Sequence, residues 1–113
     1  DYRLMKDMFA KLKAQRRQLA QSLVRQDVML RGSLVSQGRR CGKATCKCQR
    51  NVLHGPYTYL IIGQKSGESP LVYVPTALVD TVKHHVEESI IIDAVLAEIS
   101  AINVELLKRR ELY

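Results

Sequence analysis

Residues 39–59 read RRCGKATCKCQRNVLHGPYTY, and this stretch holds all three cysteines of the chain. Cys41, Cys46 and Cys48 are followed by His54, which gives the spacing C-x4-C-x-C-x5-H. Three thiolates and one imidazole complete the tetrahedral Cys3His shell of a structural zinc ion, and a full shell leaves no position for a reactive water. The sequence therefore predicts a zinc ion that stabilises this loop and takes no part in catalysis.

Other uses of the three thiols stay open at this point. A disulfide framework is not expected, because an odd number of cysteines cannot pair fully and no hydrophobic signal segment opens the sequence. We therefore expect a cytoplasmic protein. The nearby Lys and Arg residues favour thiolates, which also suits redox sensing, and buried unreactive cysteines are a third alternative. His84 or His85 could replace His54 as the fourth ligand.

Charge is unevenly distributed along the chain. The 113 residues carry a formal net charge of +7, with 14 Lys and Arg against 3 acidic residues in residues 1–67 and 4 against 8 in residues 68–113. The first part therefore requires an anionic partner or an acidic neighbour. With one Phe and no Trp the core is modest, so we expect one small domain with further stabilisation from metal or self-association. No apolar run approaches the ~18 residues of a membrane span, so no membrane partner is expected.

Apolar residues recur at a 3,4 spacing near both ends of the chain. The first row is Tyr2, Met5, Phe9, Leu12, Leu19 and Leu23, with Arg16 at the missing step. The second row is Ile92, Val95, Ile99, Ile102 and Leu106. These rows predict two helical arms, residues 1–28 and 76–113, the second capped by Thr76 and interrupted near residues 84–89. Such narrow seams favour a coiled coil, within one chain or in a homodimer.

The middle of the chain, residues 29–75, has the pattern of a small sheet. Strands are predicted at Met29–Val35, Tyr57–Ile62 and Leu71–Val74, and the connector GQKSGESP at residues 63–70 makes the last two an antiparallel hairpin. The cysteine loop joins the first two strands. We therefore predict an α+β fold, with about three antiparallel strands and a Cys3His zinc loop flanked by long N- and C-terminal helices.

Four segments also resemble a known family. They are LRGSL at residues 30–34, RRCGKATCKC at residues 39–48, HGPYTY at residues 54–59 and VYVP at residues 72–75. With the helical tail, they are similar over about residues 30–107 to a family of small prokaryotic proteins known only as a domain of unknown function. The resemblance implies a helix-flanked β unit with a metal knuckle and a frequent setting in mobile genetic elements, but no known activity. Family members often carry a glycine between the last cysteine and the histidine, where this chain reads QRNVL.

The cations around the cysteine loop suggest a nucleic-acid surface. No acidic residue occurs from residue 28 to residue 67. A rigid loop that projects several cations suits phosphates, because neutralising them releases condensed counterions. We expect contacts to nucleic acid, with DNA favoured and RNA left open, from Arg31, Arg39, Arg40, Lys43, Lys47, Arg50 and Tyr57. An exposed Tyr57 or Tyr59 would stack on an unpaired base, whereas the commoner role of such tyrosines is core packing.

The basic N-terminal arm has two alternative uses. Its seven Lys and Arg residues could follow a DNA backbone, as basic helices do. They could instead pair with the acidic C-terminal arm. We favour the pairing, because an apolar seam has to be buried somewhere.

Motifs for catalysis are not recognisable in this sequence. There is no Ser-His-Asp order, no phosphate-binding glycine loop and no pair of carboxylates suited to holding Mg²⁺ in the β region. We therefore predict a non-enzymatic, zinc-stabilised protein that binds nucleic acid and dimerises through its arms. The alternative is a protein-interaction module with the same metal loop and arms but without nucleic-acid binding.

Overall fold

The structure, a computed structural model, describes residues 1–63 and 70–113. Its elements are α1 (Tyr2–Gln21), β1 (Ser33–Arg39), β2 (His54–Ile61), β3 (Leu71–Val74) and α2 (Val79–Lys108), with short 3-10 turns at Lys47–Arg50 and Thr76–Leu78. The predicted α+β class is confirmed, as is the three-stranded antiparallel sheet between two terminal helices. Two compact units result, one from residues 1–28 with 88–113 and one from residues 29–87.

The first unit is a pair of helical segments, α1 and the second part of α2. Buried Phe9 packs with Ile102 and Leu106, and Leu12 and Leu19 cover the same cluster. The two apolar rows therefore pack against each other within one chain. Residues at a 3,4 spacing share one face of a helix, and this packing buries both faces. Within this unit the predicted pairing of the arms is present.

The first helix is shorter than predicted. Its N-terminus is capped by Asp1, whose Oδ1 accepts a hydrogen bond from the Arg3 N–H at 3.1 Å. It ends at Gln21 rather than near residue 28. At the C-cap, the Ser22 hydroxyl donates to the Leu19 carbonyl at 2.6 Å, a local bond that competes with continuation of the helix.

Two predictions about the second helix are wrong. No interruption occurs at residues 84–89, because α2 is continuous from Val79 to Lys108. Thr76 is not at its N-terminus either, since a 3-10 turn occupies Thr76–Leu78 and α2 begins at Val79. The apolar density falls near His84, but a run without Gly or Pro keeps the backbone helical all the same.

The sheet has the order β1-β2-β3, and both neighbouring pairs are antiparallel. Its third strand matches the prediction, whereas β1 begins four residues later than expected and β2 three residues earlier. Leu30, expected in the first strand, donates its N–H to the His85 carbonyl at 3.2 Å instead. Gly32 precedes β1 and has φ +150, and a Cβ there would lie 2.5 Å from the Ile61 carbonyl oxygen. A side chain there would collide with β2, which explains why this position is a glycine.

The hairpin between β2 and β3 is formed as predicted. Most of its connector, residues 64–69, lies outside the described residues. Among the helices described, none is long and apolar enough to cross a lipid bilayer.

Candidate metal centre

The cysteine loop is closed at its base by the first two strands. Arg39, the last residue of β1, pairs with His54, the first residue of β2, after a register shift that follows Gln37. The loop between them holds the three cysteines, and its 3-10 turn starts directly after Cys46 and contains Cys48. The strand pair therefore brings both ends of the motif together, and the short turn folds the middle back toward them.

Four ligand atoms converge in this loop. The sulfurs of Cys41, Cys46 and Cys48 and a ring nitrogen of His54 all lie within 4.8 Å of one another. Cys41 Sγ is 3.5 Å from Cys48 Sγ, and Cys46 Sγ is 3.1 Å from His54 Nε2. A tetrahedral shell with metal–sulfur bonds of about 2.3 Å would place its sulfurs about 3.8 Å apart. The four residues thus have the donor types and the spacing for a metal-binding site, and small adjustments would centre an ion among them.

Backbone and side-chain donors surround the cluster. The Cys41 N–H donates to Cys48 Sγ at 3.2 Å. The Gln49 side-chain amide donates to the Cys41 carbonyl at 3.1 Å. N–H groups aimed at sulfur stabilise the thiolate form, which is the form that ligates a metal. The bond from the Cys41 N–H therefore favours the thiolate form of Cys48.

Two of the thiols have opposite shifts in acidity. The Cys48 backbone N–H, helped by the Cys41 thiol, lowers the pKa of Cys46 to about 6. Burial raises the pKa of Cys48, whose side chain is 0% exposed. At neutral pH and without metal, Cys46 is therefore a thiolate beside a protonated Cys48. Metal binding must remove the proton of Cys48, so it is linked to pH.

Left-handed backbone conformations shape both sides of the histidine. Asn51 has φ +73, and asparagine tolerates this region better than most residues. It lies in the QRNVL segment between Cys48 and His54. Gly55 has φ +101, and a Cβ there would come within 2.7 Å of the Tyr57 backbone nitrogen. These two residues allow the chain to turn into and out of His54.

The structure bears on three alternatives for the cysteines: a disulfide, a different histidine ligand and buried unreactive thiols. All three cysteines are free, so no disulfide forms among them. Within the described residues the ligand cluster contains His54 and neither His84 nor His85. The idea of inert apolar thiols fits only Cys48, since Cys41 and Cys46 are half-exposed.

The loop cations expected to bind nucleic acid are brought together, with one exception. Arg39, Arg40, Lys43, Lys47 and Arg50 are all exposed on or beside the cysteine loop. Arg31 lies two residues before β1, at the end of that strand opposite to the loop. The structure therefore separates Arg31 from the other five cations.

The tyrosines next to the loop are more exposed than the core packing that we considered their commoner role. Tyr57 is 38% exposed, so for this residue the core interpretation is wrong. Tyr59 is half-buried beneath Arg39, whose guanidinium lies 4.6 Å from the ring centroid and whose Nε donates to the Tyr59 hydroxyl at 3.1 Å. Sequence reasoning missed Tyr73, which is 53% exposed next to them. The alternation of β3 hinted at its face, but the register that pairs it with Tyr59 depends on the hairpin turn.

A comparison with models of known protein families identifies the family of this chain. No curated protein and no solved structure is detectably similar to the chain. A family model described as Domain of unknown function (DUF6788) matches residues 9–84. This range starts within α1 and ends within α2, so our estimate of residues 30–107, which left the N-terminal helix outside, is wrong. The match spans more than half of the sequence, and the chain therefore belongs to the DUF6788 family.

Proposed function

We propose that the protein is a zinc-stabilised, non-enzymatic nucleic-acid-binding protein whose basic metal loop contacts phosphates, with DNA as its first expected partner. An accessory role in a mobile genetic element is part of the proposal and rests on the family resemblance alone. The observation that carries the proposal is the concentration of exposed positive charge on a loop with its own metal-ligand cluster.

Zinc is the metal best suited to the donor set. Three thiolates with one imidazole select a borderline-soft ion, and hard cations such as Mg²⁺ and Ca²⁺ prefer oxygen ligands. Four protein ligands fill a tetrahedral shell, which leaves the ion structural and supports a role without catalysis. The loop has little apolar packing of its own, since Cys48 is its one buried residue between 40 and 53. A metal would supply the stability that this loop lacks.

The charge around the loop supports a polyanionic partner. No carboxylate among the described residues pairs with Arg40, Lys43, Lys47 or Arg50. The sequence has no acidic residue between Asp27 and Glu68 that could neutralise them locally. Unpaired cations at the tip of a rigid loop attract phosphates, and the released counterions make the binding steeply dependent on salt.

The first helix is a weaker candidate for the same partner. Lys13 donates to Glu111 at 3.4 Å and to the Tyr113 carbonyl at 2.7 Å, so it is engaged within the helical unit. Arg16 is engaged there too, through Asn103 and the Leu112 carbonyl. Part of the charge of α1 therefore serves the pairing of the helical segments, which favours the loop as the phosphate-binding surface.

Dimerisation through the helical unit completes the proposal. An apolar groove on α2 is lined by Leu96, Ile99, Val104 and Leu107, with Leu112 at its end. Along α2 the acids Asp93 and Glu98 come before the base Lys108. An antiparallel second copy would therefore set opposite charges beside a shared apolar strip, which is how helix pairs select partners. The occupant that we propose for the groove is the same groove of a second copy.

Salt-dependent binding tests the proposed function. Labelled DNA and RNA oligonucleotides are titrated with metal-loaded protein at several salt concentrations. We expect affinity to fall steeply as salt rises, with a slope close to the number of phosphates contacted. Absence of binding at low salt would refute the proposal and favour the protein-interaction module.

A further inference from the structure

The two faces of the sheet differ in what they present. Leu60 and Val74 are buried on one face. Neighbouring positions along a strand point to opposite faces, so Tyr59 and Tyr73 lie on the other face, where they are paired directly across β2 and β3. Tyr57 is two residues from Tyr59 and shares that face. Three of the five tyrosines of the chain are thus gathered on one side of a small sheet.

These tyrosines form a contiguous aromatic cluster. Tyr73 is in edge contact with both other rings, with centroids 5.9 Å from Tyr59 and 6.3 Å from Tyr57. Its side chain is 53% exposed and that of Tyr57 is 38% exposed. A soluble protein rarely leaves adjacent aromatic rings open to water without a use for them. The cluster is therefore a surface that a flat, aromatic ligand would cover favourably.

Charge identifies the chemistry of that ligand. Arg39 lies over Tyr59 and ends the strand that leads into the cysteine loop, so the aromatic cluster continues into the positive surface. Tyr57 is three residues after the metal-ligand position His54, at the end of β2 next to the loop. A ligand that covers both surfaces needs phosphates at one end and unstacked rings at the other. Single-stranded nucleic acid has both, and a duplex keeps its bases stacked inside.

We infer that the Tyr57–Tyr59–Tyr73 face is a base-stacking platform, so that the preferred ligand is single-stranded nucleic acid held by its phosphates on the metal loop. Tyr73 is the main stacking residue, because it is the most exposed of the three rings. Arg39 is a positioning residue, since its guanidinium covers Tyr59 and leaves Tyr73 and Tyr57 for bases. This inference rests on the proposed function and adds the class of nucleic acid and the residues that select it.

The test compares single-stranded and duplex oligonucleotides of one sequence, as DNA and as RNA, by fluorescence anisotropy with metal-loaded protein. Tyr73→Ala should weaken single-strand binding roughly 5- to 150-fold, the loss expected for one base–aromatic stack. Tyr73→Phe, which keeps the ring, should bind as wild type, and Tyr73→Leu should not. Tyr113→Ala is the matched control, because Tyr113 is an exposed tyrosine at the chain end. Its affinity should be unchanged.

A second measurement guards against misfolding. The chain has no tryptophan, so its intrinsic fluorescence comes from tyrosine. This fluorescence should fall when a base stacks on Tyr73, and the fall should be smaller in Tyr73→Ala. The variant should still carry one metal equivalent, which shows that its loop is folded. Equal binding of duplex and single strand, with Tyr73→Ala like wild type, would overturn the platform and leave the phosphate-binding loop standing. Absence of binding to any oligonucleotide would overturn both proposals. Tighter binding of the RNA or of the DNA single strand would show which of the two nucleic acids the platform prefers.

Discussion

Arg16 on α1 and Asn103 on α2 are joined by a hydrogen bond of 2.7 Å between Nη1 and Oδ1. Arg16 occupies the one step of the first apolar row that lacks an apolar residue. Its guanidinium also donates to the Leu112 carbonyl at 2.6 Å. The break in the seam is therefore a polar clamp between the two helical segments rather than a gap in their packing.

The clamp should contribute measurably to stability. A partly buried hydrogen bond from a charged group contributes about 1.5–3 kcal/mol, so we expect Arg16→Ala to lower the free energy of unfolding by about that amount. In a double-mutant cycle with Asn103→Ala, the two single-variant effects should sum to more than the effect in the double variant. Chemical denaturation followed by circular dichroism measures both. Additive effects would show that the two side chains do not interact in solution.

Metal content is the prediction on which the loop structure depends. Protein purified without a tag under reducing conditions should carry one zinc per chain, measured by elemental analysis. Cys46→Ser should lose the metal, because serine is a poor zinc ligand. Thr45→Ser is the matched control, since it changes the adjacent exposed side chain without touching a ligand, and it should retain the metal. Less than stoichiometric zinc in the fresh wild type would contradict the site.

Removal of the metal should expose a difference in thiol reactivity. In chelated protein, Cys46 has its pKa lowered to about 6, and only the thiolate is alkylated. The rate of its modification by iodoacetamide should therefore rise with pH through about 6 and level off above, whereas an ordinary thiol has its midpoint near ~8.5. Cys48, buried and with a raised pKa, should react last. Mass spectrometry of peptides gives the rates, and zinc should suppress all of them.

Local chemistry explains which parts of this protein could be predicted from sequence. Cys41, Cys46, Cys48 and His54 were predicted as one group because ligand type and spacing are local properties, and the structure brings their donor atoms within 4.8 Å. The α+β class followed from the change of hydrophobic period along the chain. The start of β1 was predicted four residues too early, since it depends on the pairing of Ser33 with Ile61, which is far away in sequence.

Tertiary relationships explain what could not be predicted. The Tyr59–Tyr73 pairing depends on the register that the hairpin adopts. The clamp formed by Arg16 depends on how α1 lies along α2, and a row of apolar residues interrupted by one cation contains no information on its partner. Both belong to packing between distant segments, for which a single sequence provides no direct pattern.

Substitutions at two adjacent leucines of α2 allow the effect on dimerisation to be measured separately from the effect on folding. Leu107 is 59% exposed and lines the apolar groove, whereas Leu106 is 0% exposed in the core with Phe9 and Ile102. Leu107→Asp should shift a dimer to monomer, because a carboxylate would be desolvated in the interface, and it should leave thermal stability of the monomer nearly unchanged. Leu106→Asp should unfold the helical unit. Sedimentation equilibrium and thermal denaturation distinguish these outcomes, and a wild type that stays monomeric at high concentration would contradict the proposed dimer.

The placement of the phosphate-binding surface is tested by removing the same amount of positive charge at two different sites. The loop variant replaces Arg40, Lys43 and Lys47 with glutamine, and the helix variant replaces Arg3, Lys11 and Arg17. All six side chains are exposed, so both variants should fold, and none is a metal ligand.

The loop variant should bind every oligonucleotide more weakly, with a salt dependence reduced by about 0.7–0.9 slope units for each phosphate that is no longer neutralised. The helix variant should retain most of the affinity and slope, because α1 is used for pairing with α2. If the helix variant fails to bind and the loop variant still binds, the basic helix is the nucleic-acid surface and our placement is wrong.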